Sequence, residues 1–167
     1  MFGITVTSFS ALMLYAALSD LRSYTLPNWI SLVLIAGFAV MAMVIQPPLT
    51  TVGWHLLIAA GFFIIGLALF ATNIFGGGDV KVIAALGLWF GPNSAFPFLF
   101  WMSIAGGAFA LLIILFRLCP LPKRLLKFRS IADLHNSENG MPYGVAIAIA
   151  ALIEFPNTEI YSALAAL

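Results

Sequence analysis

Two aspartates, Asp20 and Asp79, are the residues of this chain best suited to chemistry. The sequence holds only six acidic residues among 167. Glu154 and Glu159 fall in the outer tail, and Asp133 and Glu138 fall in a polar stretch, so Asp20 and Asp79 are the two joined directly to apolar segments. A carboxylate at the edge of the hydrocarbon region is expensive to hold there and is read first as functional. Two carboxylates brought close in a low-dielectric pocket cannot both ionise comfortably, so they share a proton. The ionised member can take a proton from water as it attacks a peptide carbonyl. The protonated member can donate to the developing oxyanion and then to the leaving amine. That is aspartic-protease chemistry. Each aspartate also has a structural reading: Asp79 follows three glycines and can cap a helix, and Asp20 can pair with Arg22 or Lys81.

Other chemistries are poorly supplied. Cys119 is the single cysteine, which excludes an internal disulfide and a Cys-based metal cluster; beside Pro120 it reads as a small apolar filler. His55 and His135 stand alone without ligand spacing and read as interfacial or solvated, and no Ser-His-Asp arrangement can be assembled around them. The glycine run before Lys81 lacks the spacing and the Ser/Thr of a phosphate-binding loop. No cofactor, no metal and no nucleic-acid partner are expected.

The elements that must position the aspartates are membrane helices. The chain is 63% hydrophobic and 8% charged, with a mean hydropathy of +1.11, whereas soluble domains carry roughly 25% charged residues. The expectation is an all-α, polytopic membrane protein forming one domain over 1–167. A spanning helix needs about 20 apolar residues, and about six segments come out, at 1–19, 28–45, 52–75, 79–92, 95–118 and 141–155. Segment 1–19 has no Lys or Arg ahead of its apolar run and reads as a retained helix, not as a secretory signal. Gln46-Pro47-Pro48 and Gly91-Pro92-Asn93 read as stops.

Six passes put Arg22, Lys81, Arg117, Lys123, Arg124, Lys127 and Arg129 on one side, which is then cytoplasmic. Asp20 and Asp79 share that side, and both termini lie outside. The fourth segment is anomalous. From Asp79 to Gly91 it covers only about 20 Å of a roughly 30 Å core. Either it continues past Pro92, or Asp79 sits below the membrane surface in a wet pocket, where irregular backbone is tolerated.

Three stretches carry a family resemblance. Asp20-Leu21-Arg22-Ser23-Tyr24-Thr25-Leu26-Pro27-Asn28 resembles the first-aspartate motif of type IV prepilin peptidases, ending in the Pro-Asn that opens the second helix. Gly76-Gly77-Gly78-Asp79-Val80-Lys81 resembles their GxGD motif with its following Lys. Met141-Pro142-Tyr143-Gly144 resembles the opening of their last helix. The resemblance implies that Asp20 and Asp79 are the catalytic pair, cutting after a glycine at the cytoplasmic end of a pilin or pseudopilin leader. Arg22, Pro27, Asn28, Gly76, Gly78, Lys81, Pro142, Tyr143 and Gly144 then become supporting residues. Arg22 and Lys81 would tune the pair, and Pro142 and Gly144 would shape its pocket.

One departure bears on activity. Larger members of that family carry a Cys-x-x-Cys zinc insertion associated with N-methylation; this chain has none and looks like the short form of tight-adherence (Flp-type) pilus systems, with archaeal preflagellin peptidases also related. The basic stretch from Pro120 to Ile131, within the loop 119–140, reads as an amphipathic helix on anionic lipid. Gly61, Gly66, Gly106 and Gly107 read as helix-packing positions. Two rivals stand beside the peptidase: a small ion- or proton-coupled transporter using the two aspartates, and a non-catalytic assembly scaffold.

Overall fold

The computed structural model describes residues 1–73, 75–120, 122, 129–136 and 140–166, with the backbone alone at 129, 130 and 133. The described residues form helices joined by short connections and contain no strand. The expected basic stretch from Pro120 to Ile131 falls mostly outside them. A seven-residue helix, α5 (Arg129–His135), begins within its last three residues.

Helix α1 (Phe2–Ser23) buries Phe9, Met13, Ala16 and Asp20. This 4-3-4 spacing is one face of a 3.6-residue helix. Asp20 therefore occupies the next place on the apolar stripe, inside the helix and not just past an end at residue 19 as expected. The helix closes at Tyr24, whose left-handed conformation (φ 53°) lets its N–H reach the Asp20 carbonyl at 2.8 Å. Helix α2 (Asn28–Ile45) begins after Pro27 and ends at Gln46, as the flanking prolines dictate. Helix α3 (Leu49–Ala71) starts just past Pro47-Pro48 and stops four residues short of the expected 75, at a turn where Asn73 has φ 58°.

The two helices expected on either side of Gly91-Pro92 are both present and follow one another without an intervening loop, as the two arms of α4 (Gly77–Leu118). Gly91 alone leaves the helical region, with φ 58° and ψ −166°. It folds the element back on itself into arms 77–90 and 92–118. The Phe98 ring sits 4.6 Å from that of Phe90 and 6.0 Å from that of Phe62 on α3. A Cβ at Gly106 would stand 3.8 Å from the Tyr143 ring, which contacts Phe75 at 5.1 Å just before the first arm begins. A straight helix would carry Gly106 about 40 Å from Asp79.

Pro92 explains why the bend needs support. It has no N–H for the Leu88 carbonyl, and His55 Nδ1–H donates to that carbonyl instead, at 2.6 Å. His55 is thus buried at 3% exposure, contrary to its expected interfacial place. His135 packs edge-on against Phe116 at 5.6 Å. Cys119, read as a filler, is exposed.

Arm 77–90 is buried on nearly every side, the pattern of a central helix. Helix α3 runs beside it through two glycine contacts. A Cβ at Gly66 would lie 2.8 Å from Val80, and one at Gly87 would lie 2.8 Å from the Ala59 backbone. Helix α6 (Gly144–Glu154) is the other buried helix, placed against α1 and α4. At 11 residues, with a 3-10 turn following at Phe155–Asn157, it is shorter than the expected segment 141–155. Glu154, assigned to the outer tail, is buried at 3% exposure. Helix α7 (Glu159–Ala165) follows, capped by Thr158.

Among the described residues, four helices are long and apolar enough to cross a membrane: α1, α2, α3 and α4. Large apolar side chains such as Leu32, Met43, Ile64 and Leu112 point outward from them, as lipid-facing residues do. Phe2 meets Tyr161 at 5.0 Å, so the N-terminal end of α1 and helix α7 share one end of the bundle. Asp20 lies at the other.

Candidate active site

At that second end, a cavity of about 430 Å³ is lined by both Asp20 and Asp79. Asp20 arrives on the last turn of α1 and is buried at 4% exposure. Its Oδ2 accepts the Gly144 N–H at 2.6 Å, at the first residue of α6. Asp79 arrives on the first turn of α4, and its Oδ2 accepts the Gly76 N–H at 3.1 Å. Asp79 therefore does cap its helix, as its structural reading had it, while also facing the cavity. Each carboxylate is held by a glycine amide at a helix N-terminus, where unpaired N–H groups and the helix dipole favour negative charge. Two helix N-termini converge on two acids.

The glycines are needed for close approach. A Cβ at Gly144 would stand 2.8 Å from the Asp20 Cβ and 2.9 Å from its Oδ2. One at Gly76 would stand 3.0 Å from Asp79 Oδ2. One at Gly78 would stand 2.8 Å from the Leu26 carbonyl oxygen. Through Gly78 the α1–α2 connection rests directly on the start of α4, which brings the two aspartate-bearing helix ends together. Pro27 is the N-cap of α2, and Pro142 is fully buried just ahead of α6.

Not every expected supporting residue enters the cavity. Tyr143 lines it, with Phe75 edge-on to its ring. Arg22 is exposed, and neither Arg22 nor Lys81 forms an ion pair with Asp20. Lys81 lies about 200° around α4 from Asp79; its Nζ donates to Asn28 Oδ1 at 2.8 Å, and both residues border a different groove. Tyr24, Phe70, Asn73, Gly140 and Met141 complete the cavity and were not foreseen. Tyr24 and Met141 lie inside stretches that carry the family resemblance; nothing in the spacing of the others marks them, and the five converge from three separate segments. Arg117 braces this end, donating to the carbonyls of Leu134 (2.9 Å) and Gly140 (3.3 Å). No group of three or more His, Cys, Asp or Glu suited to a metal occurs among the described residues.

The arrangement supplies two acids on one cavity wall, each fixed through one oxygen, with the second oxygen of each free of a hydrogen bond to the described residues. It can hold a water molecule and exchange protons with a bound amide. Residues 7–111 match the model of the type IV leader peptidase family. The matched segment contains both aspartates and ends before Pro142-Tyr143-Gly144. No curated protein and no solved structure gives a significant match.

Proposed function

From the premise that the chain belongs to the type IV leader peptidase family, and is therefore a protease of the leader-peptidase type, we propose that it is an aspartic endopeptidase that removes the leader of a prepilin or pseudopilin. The observation that carries this reading is the placing of Asp20 and Asp79 on one cavity. The pair holds one proton. The ionised carboxylate takes a proton from water while the water oxygen attacks the scissile carbonyl carbon, and the protonated one donates to the carbonyl oxygen. Collapse of the tetrahedral intermediate breaks the C–N bond, and the proton passes to the leaving amine. The amides of Gly144 and Gly76 keep one oxygen of each acid fixed, so the acids need no rearrangement as charge develops.

The six-pass reading and the orientation belong to the same proposal. Arms 77–90 and 92–118 count as two passes, and α6 with its 3-10 turn as a short sixth. The dyad end, with Arg22, Lys81 and Arg117, faces the cytoplasm, and both termini lie outside. The substrate class is the short-form, Flp-type pilin, cut after a glycine, without N-methyltransferase activity. The transporter is not favoured, because both aspartates stand at one end of the bundle and not at its middle. Detergent-purified protein incubated with a prepilin peptide, its products read by mass spectrometry, tests the reading. A single cut after the leader glycine supports it, and an intact peptide overturns it.

A further inference from the structure

Lys81 belongs to the Asp79 motif, yet the cavity does not use it. Its Nζ donates to Asn28 Oδ1, and no carboxylate among the described residues lies within ion-pair distance. An ammonium carries three donors, and Asn28 takes one. Asn28 is the first residue of α2, so Lys81 also faces a helix N-terminus, whose unpaired amides and dipole add positive character. Two sources of positive charge converge there without a described counter-charge.

From this spot a groove of about 590 Å³ runs between α2, α3 and arm 77–90, walled by side chains such as Leu32, Ile35, Leu56 and Phe63. Ala60 and Ala84 leave it open. Ser31 lines the groove one turn below Asn28, is 6% exposed, and its hydroxyl has no hydrogen-bond partner among the described residues. A buried hydroxyl normally finds a partner, often the carbonyl four residues back. The site therefore offers positive charge at the rim, a buried hydroxyl just inside, and an apolar channel beyond.

We propose that this groove binds one anionic phospholipid, with its phosphate on Lys81 Nζ and the first amides of α2. Ser31 donates to an ester carbonyl, and an acyl chain lies along the channel. Basic pockets between membrane helices recognise anionic headgroups by this logic. A zwitterionic headgroup fits less well, since its own cation meets Lys81 and the α2 N-terminus.

The test titrates the full chain, purified in mild detergent, with phosphatidylglycerol or phosphatidylcholine and counts bound lipids by native mass spectrometry. The wild type is expected to bind its first phosphatidylglycerol about fivefold more tightly than phosphatidylcholine. Lys81→Gln brings the two lipids to parity, Lys81→Arg keeps the preference, and Ala60→Phe weakens both. Parity in the wild type, a preference that survives Lys81→Gln, or displacement of the lipid by glycerol phosphate alone or by a prepilin's apolar helix overturns the proposal.

Discussion

The Gly144 amide donates to Asp20 Oδ2 at 2.6 Å across 124 residues of sequence. The absence of a side chain at 144 allows that approach, because a Cβ there would lie 2.8 Å from the Asp20 Cβ. The expected consequence of Gly144→Ala is a displaced carboxylate and a fall of about 100-fold in turnover, the scale of an ångström-level misplacement of a reacting group. Gly106→Ala is the control, since its new methyl meets Ala146 at an ordinary 3.6 Å. Peptide-cleavage rates of the two variants check the contrast. Equal rates would mean that Asp20 does not depend on this contact.

Gly78 makes a comparable contact with backbone. A methyl there would approach the Leu26 carbonyl oxygen to 2.8 Å, and a backbone oxygen cannot swing away as a side chain does. Gly78→Ala is expected to cost about 1–3 kcal/mol. Gly107→Ala meets nothing within 4 Å, and is expected to stabilise by about 0.5–1 kcal/mol through helix propensity. Thermal unfolding of both variants in the same detergent measures the opposite signs.

The bend in α4 depends on His55. His55→Leu leaves the Leu88 carbonyl without a donor in a buried place, because Pro92 has none to give. The expected loss is about 1–3 kcal/mol. Gly91→Ala should be worse, since Gly91 has φ 58° and a methyl there would come within 2.6 Å of the His55 ring. Thermal unfolding ranks the three proteins as wild type, His55→Leu, Gly91→Ala, in falling order.

Much of this was legible in the residues, for reasons that differ from place to place. Proline marks the ends of α2 to within a residue or two, because it acts on the local backbone. The stripe Phe9, Met13, Ala16 extends onto Asp20, but Leu12, Leu14, Tyr15 and Leu18 between them are apolar too, so spacing alone does not show which face turns inward. The reversal at Gly91-Pro92 was legible, since six passes require the chain to turn there; that the distant His55 holds the broken helix was not. The four glycines expected to pack helices look alike in sequence. Gly66 is tight against Val80 and Gly106 is in ordinary contact, while Gly61 and Gly107 face open space. Lys81 follows Asp79 in its motif, yet helical rotation carries it to another groove. The Asp20–Gly144 bond joins segments that nothing in their local sequence connects.

The central claim is that Asp20 and Asp79 act as one catalytic pair. Its most direct measurement is cleavage of a co-expressed prepilin by Asp20→Asn and Asp79→Asn, each shown to be inserted and as thermally stable as the wild type. Asparagine keeps the shape of the side chain but cannot carry the shared proton. The account predicts that either substitution alone abolishes processing. Full processing by either variant would contradict it.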